Sequence, residues 1–139
     1  MKCYAVIDTN VIVSALLAKS ETSATVLVVQ QFLEGSVVPI YNDYILGEYS
    51  TVLRRKKFGL DANVIDSFLE KIQEDGICVN PEDSNIILPD MKDVPFYVVA
   101  LNSGVEDTFL VTGNIKHFPS EHFIVTPAEF LKILQEKFL

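Results

Sequence analysis

Short apolar runs alternate with segments of helical periodicity along this chain. Apolar runs, several of them β-branched, predict short buried strands at residues 3–7, 36–41, 77–79, 108–112 and 123–125. Apolar residues recur at helical spacing between and after these runs, at residues 11–17, 24–33, 45–53, 61–75, 94–103 and beyond Thr126. Strands that alternate with helices indicate βαβ units, so we expect an α/β fold with a parallel sheet and right-handed crossovers.

Polar residues and glycines mark the ends of several predicted helices. Asn42 or Asp43 can cap the helix that follows the second strand, and Thr126 can cap the last one. Gly35 and Gly104 are suitable helix stops, since glycine readily adopts the conformation that ends a helix. These end signals agree with the boundaries that the periodicity predicts.

The length of 139 residues predicts a single domain over residues 1–139, because one core commonly serves roughly 100 to 200 residues. The chain is 49% hydrophobic with a mean hydropathy of +0.28, as expected of a sheet covered on both faces. No apolar stretch reaches the roughly 18 to 20 residues that cross a bilayer, so we expect no membrane contact. Cys3 and Cys78 are too few for a disulfide framework or a zinc site, which favours a reducing cytoplasm.

The net charge of −8 argues against broad nonspecific binding to nucleic acid, because phosphate affinity comes mainly from Lys and Arg. The basic residues are concentrated, however, and four of the eleven are consecutive. Such a run is commonly a solvated helix end placed against the helix dipole. The alternative is contact with RNA or an acidic partner, for which the candidates are Arg54, Arg55, Lys56, Lys57 and Lys116.

Polar side chains follow two of the predicted strands directly. Asp8 ends the first strand, and Thr112, Gly113 and Asn114 end the strand at residues 108–112. Because ligands collect at the carboxyl ends of parallel strands, we expect these residues to contribute to a functional site. Asp8 has an ordinary alternative role as a helix N-cap, although the two residues after it are also good caps.

Two further carboxylates border apolar helical stripes. At about 100° per residue, Glu48 falls at about 300° when Ile45 is set to zero, which is the edge of the apolar stripe. Asp93 lies at the margin of the stripe of the following helix, where it is also a candidate N-cap. That helix precedes a strand, which alone would place Asp93 at the opposite edge of the sheet unless the irregular segment at residues 80–92 brings it back. Solvated surface positions are the ordinary alternative for such carboxylates.

Carboxylates around one strand-end crevice would suit Mg²⁺ or Mn²⁺, which prefer hard oxygen ligands and retain water. Such an ion can orient a phosphodiester and activate water for in-line attack. Neither of the common glycine-rich phosphate-binding motifs occurs in the chain. The pattern therefore favours metal-dependent phosphate chemistry over nucleotide binding by a glycine-rich loop.

The order of these residues resembles the PIN-domain family, and more narrowly its bacterial branch of toxin components of toxin-antitoxin systems. The resemblance spans nearly the whole chain and is carried by Ala5-Val6-Ile7-Asp8-Thr9-Asn10-Val11, Leu46-Gly47-Glu48-Tyr49, Asp90-Met91-Lys92-Asp93-Val94-Pro95-Phe96, and Leu110-Val111-Thr112-Gly113-Asn114 with Lys116-His117-Phe118. It implies a three-layer αβα fold with a central parallel sheet of about five strands.

The resemblance also implies an activity, a site and partners. The activity is cleavage of single-stranded RNA that depends on Mg²⁺ or Mn²⁺. The resemblance implies that Asp8, Glu48 and Asp93 are catalytic and, with Asn114, hold metal, while Asn10, Asp90 and Thr112 support the site. A cognate antitoxin and a second copy of the chain, as a homodimer, are the expected protein partners.

Asn114 departs from the resembled pattern, because many family members carry Asp at this position. An amide can bind metal through its oxygen but brings no negative charge, so metal affinity should fall. The alternative hypothesis is therefore a weak or inactive PIN-fold module that binds RNA or protein without turnover.

A third class of function is phosphate chemistry on an aspartyl group. A phosphatase of the haloacid-dehalogenase type would need D-x-D after the first strand, where this chain has Asp8-Thr9-Asn10. A response-regulator receiver would need its phosphoacceptor Asp at the end of a later strand, and residues 36–41 supply no convincing equivalent. Both rank below the nuclease.

Overall fold

The structure, a computed structural model, describes residues 2–81, 85–103 and 108–138, and these residues build a five-stranded sheet. The strands are β1 (Cys3–Ile7), β2 (Val37–Tyr41), β3 (Ile77–Cys78), β4 (Thr108–Val111) and β5 (Ile124–Val125). Their order is β3-β2-β1-β4-β5, and every neighbouring pair is parallel. Helices flank this sheet, so the predicted three-layer α/β fold is confirmed.

The helices follow the predicted periodicity closely. They are α1 (Thr9–Leu17), α2 (Ala24–Glu34), α3 (Asp43–Leu53), α4 (Ala62–Asp75), α5 (Val94–Leu101) and α6 (Pro127–Lys137). α1 begins two residues earlier than predicted, and α5 ends two residues earlier. The predicted stop at Gly104 lies outside the described residues. No helix in the described ranges is long and apolar enough to cross a membrane.

The helix ends show which of the candidate caps act. Asn42, and not Asp43, caps α3 by accepting a hydrogen bond from the Ile45 amide at 2.8 Å. Thr126 and Glu129 form a reciprocal capping box at the start of α6, which satisfies two amides that a helix start otherwise leaves unpaired. Gly35 ends α2 with a φ of 87°, a conformation that favours glycine.

β1 lies at the point where the strand order reverses. It pairs with β2 on one side and with β4 on the other, and the chain adds β3 and β5 outside them. The Asp8 amide donates to the Val111 carbonyl oxygen at 2.9 Å, which continues the β1–β4 ladder one residue beyond the strand. The carboxyl ends of β1 and β4 therefore open on one crevice, as expected at a topological switch point.

The core beneath this crevice contains large buried aromatic side chains. Tyr49 on α3 is among the largest completely buried side chains, and its hydroxyl donates to the Ile7 carbonyl oxygen at the end of β1. Its ring packs against Phe96 of α5 with centroids 6.2 Å apart. Tyr49 therefore joins the two helices that carry Glu48 and Asp93 to the strand that carries Asp8.

Two glycines provide a paired test of this packing. A Cβ at Gly76, between α4 and β3, would lie 2.5 Å from the Ile72 oxygen and 2.6 Å from the Pro39 oxygen, whereas a Cβ at Gly47 in α3 would meet nothing within 4 Å. We expect Gly76→Ala to lower the free energy of unfolding by about 1 to 3 kcal/mol through overpacking. Gly47→Ala should raise it by up to about 1 kcal/mol, because alanine favours a helix interior.

Urea denaturation of the two variants and the parent protein measures both changes. Equal effects of the two substitutions would contradict the tight approach of α4 to β2 at Gly76.

Candidate functional site

The crevice at the carboxyl ends of β1 and β4 is an open cleft of about 400 Å³, which we call the acidic cleft. It is lined by residues from several elements, among them Asp8, Asn10, Glu48, Asp90, Asp93 and Asn114. The structure thus brings together the three carboxylates singled out in the sequence. It also brings Asn114 beside them.

Asp8 is held at the floor of the acidic cleft. Its side chain is 6% exposed, and its Oδ2 accepts a hydrogen bond from the Thr112 hydroxyl at 2.7 Å. The carboxylate makes no capping bond to α1, which removes the ordinary explanation for its position. Burial is the main cause that raises the pKa of Asp8 to about 6, and the nearby charges of Asp93 and Glu48 add to it, while the Thr112 bond acts the other way.

Glu48 reaches the acidic cleft from α3. It is half-buried at the edge of the apolar face of that helix, where the helical arithmetic places it. Its Oε2 accepts a hydrogen bond from the Thr9 hydroxyl at 2.5 Å. Thr9 is the residue after Asp8, so this bond sets the position of the second carboxylate relative to the first.

Asp93 enters the acidic cleft from the start of α5, although the order of helix and strand alone was expected to place it at the opposite edge of the sheet. A helix that runs back along a parallel sheet begins at the edge where the preceding strand ends, and α5 begins there. A turn of 3₁₀ helix at Met91–Asp93 leads into it. Asp90 begins that turn by accepting a hydrogen bond from the Lys92 amide at 2.9 Å, and Asp93 makes no capping bond to α5.

The side chain of Asp93 is largely buried, and one of its carboxylate oxygens lacks a hydrogen-bond donor. This oxygen is Oδ2, and Nδ1 of His117 lies 3.4 Å from it. Burial and then the charge of Asp90 raise the pKa of Asp93, while His117 opposes them. A buried acceptor without a donor is costly, so a bound cation would relieve this position.

The loop after β4 closes the other side of the acidic cleft. The Thr112 hydroxyl, which donates to Asp8, also accepts a hydrogen bond from the Asn114 amide at 2.9 Å. The Asn10 side chain accepts from the Gly113 amide at 3.4 Å. Thr112 and Asn10 therefore connect this loop to the start of α1 and to Asp8 through hydrogen bonds, and Asn114 is exposed at the rim.

The side chains of the acidic cleft offer the oxygen ligands that Mg²⁺ and Mn²⁺ prefer. Its candidate ligands are the carboxylates of Asp8, Glu48 and Asp93 and the amide oxygen of Asn114, and these ions favour oxygen. Within the described ranges, no three His, Cys, Asp or Glu side chains lie close enough to hold one ion. The site is therefore not a preformed chelate, but Mg²⁺ commonly takes only one or two carboxylates and keeps several waters.

The candidate basic residues have different surroundings. Arg54 is paired with Asp66, and the Lys57 ammonium lies 5.1 Å from the centre of the Phe58 ring. Arg55 and Lys56 are exposed, and so is Lys116, which does not line the acidic cleft.

Sequence reasoning missed two contributors to the acidic cleft. Lys92 lines it, and its place between Asp90 and Asp93 in the chain was the available signal. Hydrophobic periodicity could not predict the hydrogen bond from Thr9 to Glu48, because the sequence marked Thr9 only as an additional candidate helix cap.

A comparison with known protein families gives one match in keeping with this arrangement. The family model described as PIN domain matches residues 4–116, which contain β2 to β4, all of β1 but its first residue, and the acidic-cleft residues Asp8, Glu48, Asp93 and Asn114. No curated protein and no solved structure gives a significant match.

The buried carboxylate of Asp8 predicts a pH-dependent stability. Since its folded-state pKa is raised from 3.8 to about 6, the unfolded chain loses this proton first as the pH rises, and the fold loses stability between these two values. The free energy of unfolding falls by about 3 kcal/mol, because each unit of difference between the folded and unfolded pKa contributes about 1.4 kcal/mol. We expect Asp8→Asn, which keeps an acceptor for Thr112, to unfold at higher urea than the parent at pH 7 without metal. At pH 4 the two proteins should nearly coincide, and a difference that stayed constant with pH would contradict the raised pKa.

Proposed function

The chain belongs to the PIN-domain family, and on that premise we propose that it is a divalent-metal-dependent ribonuclease that cleaves single-stranded RNA in the acidic cleft. Proteins of this family are typically nucleases and generally use Mg²⁺ or Mn²⁺. The observation that carries the proposal is the convergence of Asp8, Glu48 and Asp93 on one open cleft at the topological switch point.

Each carboxylate has a separate role in this proposal. Asp8 is the fixed ligand, because burial and the Thr112 hydroxyl leave it little freedom. Glu48 is the ligand whose position Thr9 sets, and Asp93 supplies a buried oxygen that lacks a donor. A divalent ion bound by these oxygens would offset charge on a phosphate and lower the pKa of a water molecule.

The protein must also overcome repulsion between these carboxylates and an RNA phosphate. Lys92 and His117 line the same acidic cleft and carry the donors that face the incoming backbone. His117 already contacts Asp93, so it can orient that carboxylate and meet phosphate with its other edge. In this proposal the basic residues act at the acidic cleft itself, because the protein as a whole carries a net charge of −8.

Three partners complete the proposal. Single-stranded RNA is the substrate, a cognate antitoxin restrains the nuclease as a toxin, and a second copy of the chain forms a homodimer in the cytoplasm. The support for the antitoxin and the homodimer is the resemblance to the bacterial toxin branch. Co-purification from the native host and sedimentation of the pure protein test them separately.

The alternative is a PIN-fold module that binds RNA or protein without turnover. Asn114 favours it, since this position brings an amide and no charge to the rim of the acidic cleft. Binding of RNA with no cleavage over a range of Mn²⁺ concentrations would support this alternative.

Loss of a ligand tests the proposed site. We expect Asp8→Asn and Asp93→Asn each to slow cleavage of a labelled single-stranded RNA by roughly a hundredfold or more, the usual scale for removing a group that stabilises charge in the transition state. Glu136→Gln, on the exposed face of α6, is the matched control and should cleave at the parental rate. Cleavage that survives chelation, or both Asp substitutions, would rule out this site.

Addition of a ligand charge tests the role of Asn114. We expect Asn114→Asp to bind Mn²⁺ about tenfold more tightly, because each added carboxylate increases the affinity of an oxygen site. Isothermal titration calorimetry measures the change, with Gln135→Glu on α6 as a control that adds the same charge outside the acidic cleft. Equal effects of the two substitutions would show that Asn114 does not face the ion.

A further inference from the structure

A second groove continues from the acidic cleft along one face of α3. We call it the α3 groove, and it has a volume of about 470 Å³. It shares Glu48, Val52 and Lys92 with the acidic cleft, so the two form one continuous surface. The residues that belong to the α3 groove and not to the acidic cleft are Asp43, Tyr44, Gly47, Thr51 and Arg55.

The helical period explains why three of these residues share a face. Tyr44, Glu48 and Thr51 follow one another at steps of four and three residues within α3, which return to the same side of a helix, whereas Arg55 lies in extended backbone just beyond the end of α3. Lys92 faces this side from the 3₁₀ turn before α5. A path therefore runs from Tyr44 past Glu48 into the acidic cleft, with Arg55 lining the groove beyond the C-terminal end of α3.

Tyr44 is an aromatic side chain left open to solvent at the start of this path. It is 50% exposed, in contrast to the nearby Tyr49, which is 2% exposed. Exposed aromatic rings beside charged grooves are the usual platforms on which the bases of single strands stack.

Gly47 lies inside α3 without a packing reason. A Cβ at this position would meet no atom within 4 Å, and its φ is not in the left-handed region. Glycine is unfavourable inside a helix compared with alanine, so the fold gains nothing from it. Its absent side chain keeps the floor of the α3 groove open between Tyr44 and Thr51, where another molecule can approach the helix closely.

The cations of the α3 groove are available for a ligand. Neither Arg55 nor Lys92 forms a side-chain ion pair within the described part of the chain, whereas the adjacent Arg54 is engaged by Asp66 and Ser50. An aromatic platform, an open floor and two unpaired cations match the base, sugar and phosphate of one nucleotide.

We propose that the α3 groove is a nucleotide subsite that guides single-stranded RNA into the acidic cleft. A base stacks on Tyr44, the backbone crosses α3 at Gly47, and Arg55 and Lys92 hold the phosphate. This inference takes single-stranded RNA as the substrate from the proposed function. It adds the residues that position the RNA before cleavage.

Binding without cleavage tests the subsite directly. The probe is a short oligoadenylate RNA with a fluorescent 2-aminopurine base, titrated in EDTA so that no metal-dependent cleavage occurs. We expect Tyr44→Ala to weaken binding about tenfold and to lose the quenching that stacking produces, while Tyr44→Phe recovers most of both. Leu33→Ala, which removes a side chain of similar exposure from α2, should match the parent.

Two further substitutions test the open space at Gly47 and the charge of Arg55 separately. Gly47→Gln fills the groove and should weaken binding at least tenfold while it stabilises α3, so a loss of binding with a raised unfolding midpoint excludes misfolding. Arg55→Gln should lower the slope of log affinity against log salt by about 0.7, the value for one phosphate contact with a single strand. Lys132→Ala, exposed on α6, should leave that slope unchanged.

The outcomes distinguish this inference from the proposed function. Binding that depends on Tyr44 and Gly47, with no cleavage when Mn²⁺ is added, would support the subsite and contradict the nuclease. Cleavage and binding that are unaffected by Tyr44→Ala and Gly47→Gln would overturn the subsite and leave the nuclease standing. Absence of RNA binding by the parent protein in EDTA would overturn the subsite, and absence of both binding and cleavage with Mn²⁺ present would overturn both.

Discussion

The parallel pairing of β1 between β2 and β4 is the constraint on which the rest of the structure depends. It aligns the carboxyl ends of β1 and β4, and the Asp8 amide extends the ladder by its bond to Val111. The carboxylate of Asp8 is thereby fixed next to the Thr112 hydroxyl, although more than a hundred residues separate them in the chain. Tyr49 then ties α3 to the same strand end, which brings Glu48 to the crevice.

This arrangement gathers negative charge at one edge of the sheet. Asp8 and Asp93 both have raised pKa values, chiefly because burial disfavours their charged forms. The unpartnered oxygen of Asp93 adds a further cost. Functional sites commonly store instability of this kind, because a ligand that satisfies the buried groups is bound more tightly by the same amount.

The acidic cleft and the α3 groove divide recognition between two kinds of chemistry. Carboxylates dominate the first and suit a cation, whereas in the second Arg55 and Lys92 balance the charges of Asp43 and Glu48 beside the exposed ring of Tyr44. Glu48 and Tyr44 lie one turn apart on α3, so one helix serves both. A protein with a net charge of −8 can thus bind a polyanion only where its few free cations converge.

The sequence by itself determined the elements and their class, because hydrophobic periodicity and caps such as Thr126 act over a few residues. It also marked Asp8, since a carboxylate that directly follows a buried strand lies at the ligand edge of any parallel sheet. Only the tertiary structure decided that Asp93 shares that edge, that Thr9 positions Glu48, and that Lys92 faces Tyr44. These contacts join residues from separate elements, and their geometry depends on strand order and loop path, which local patterns do not encode.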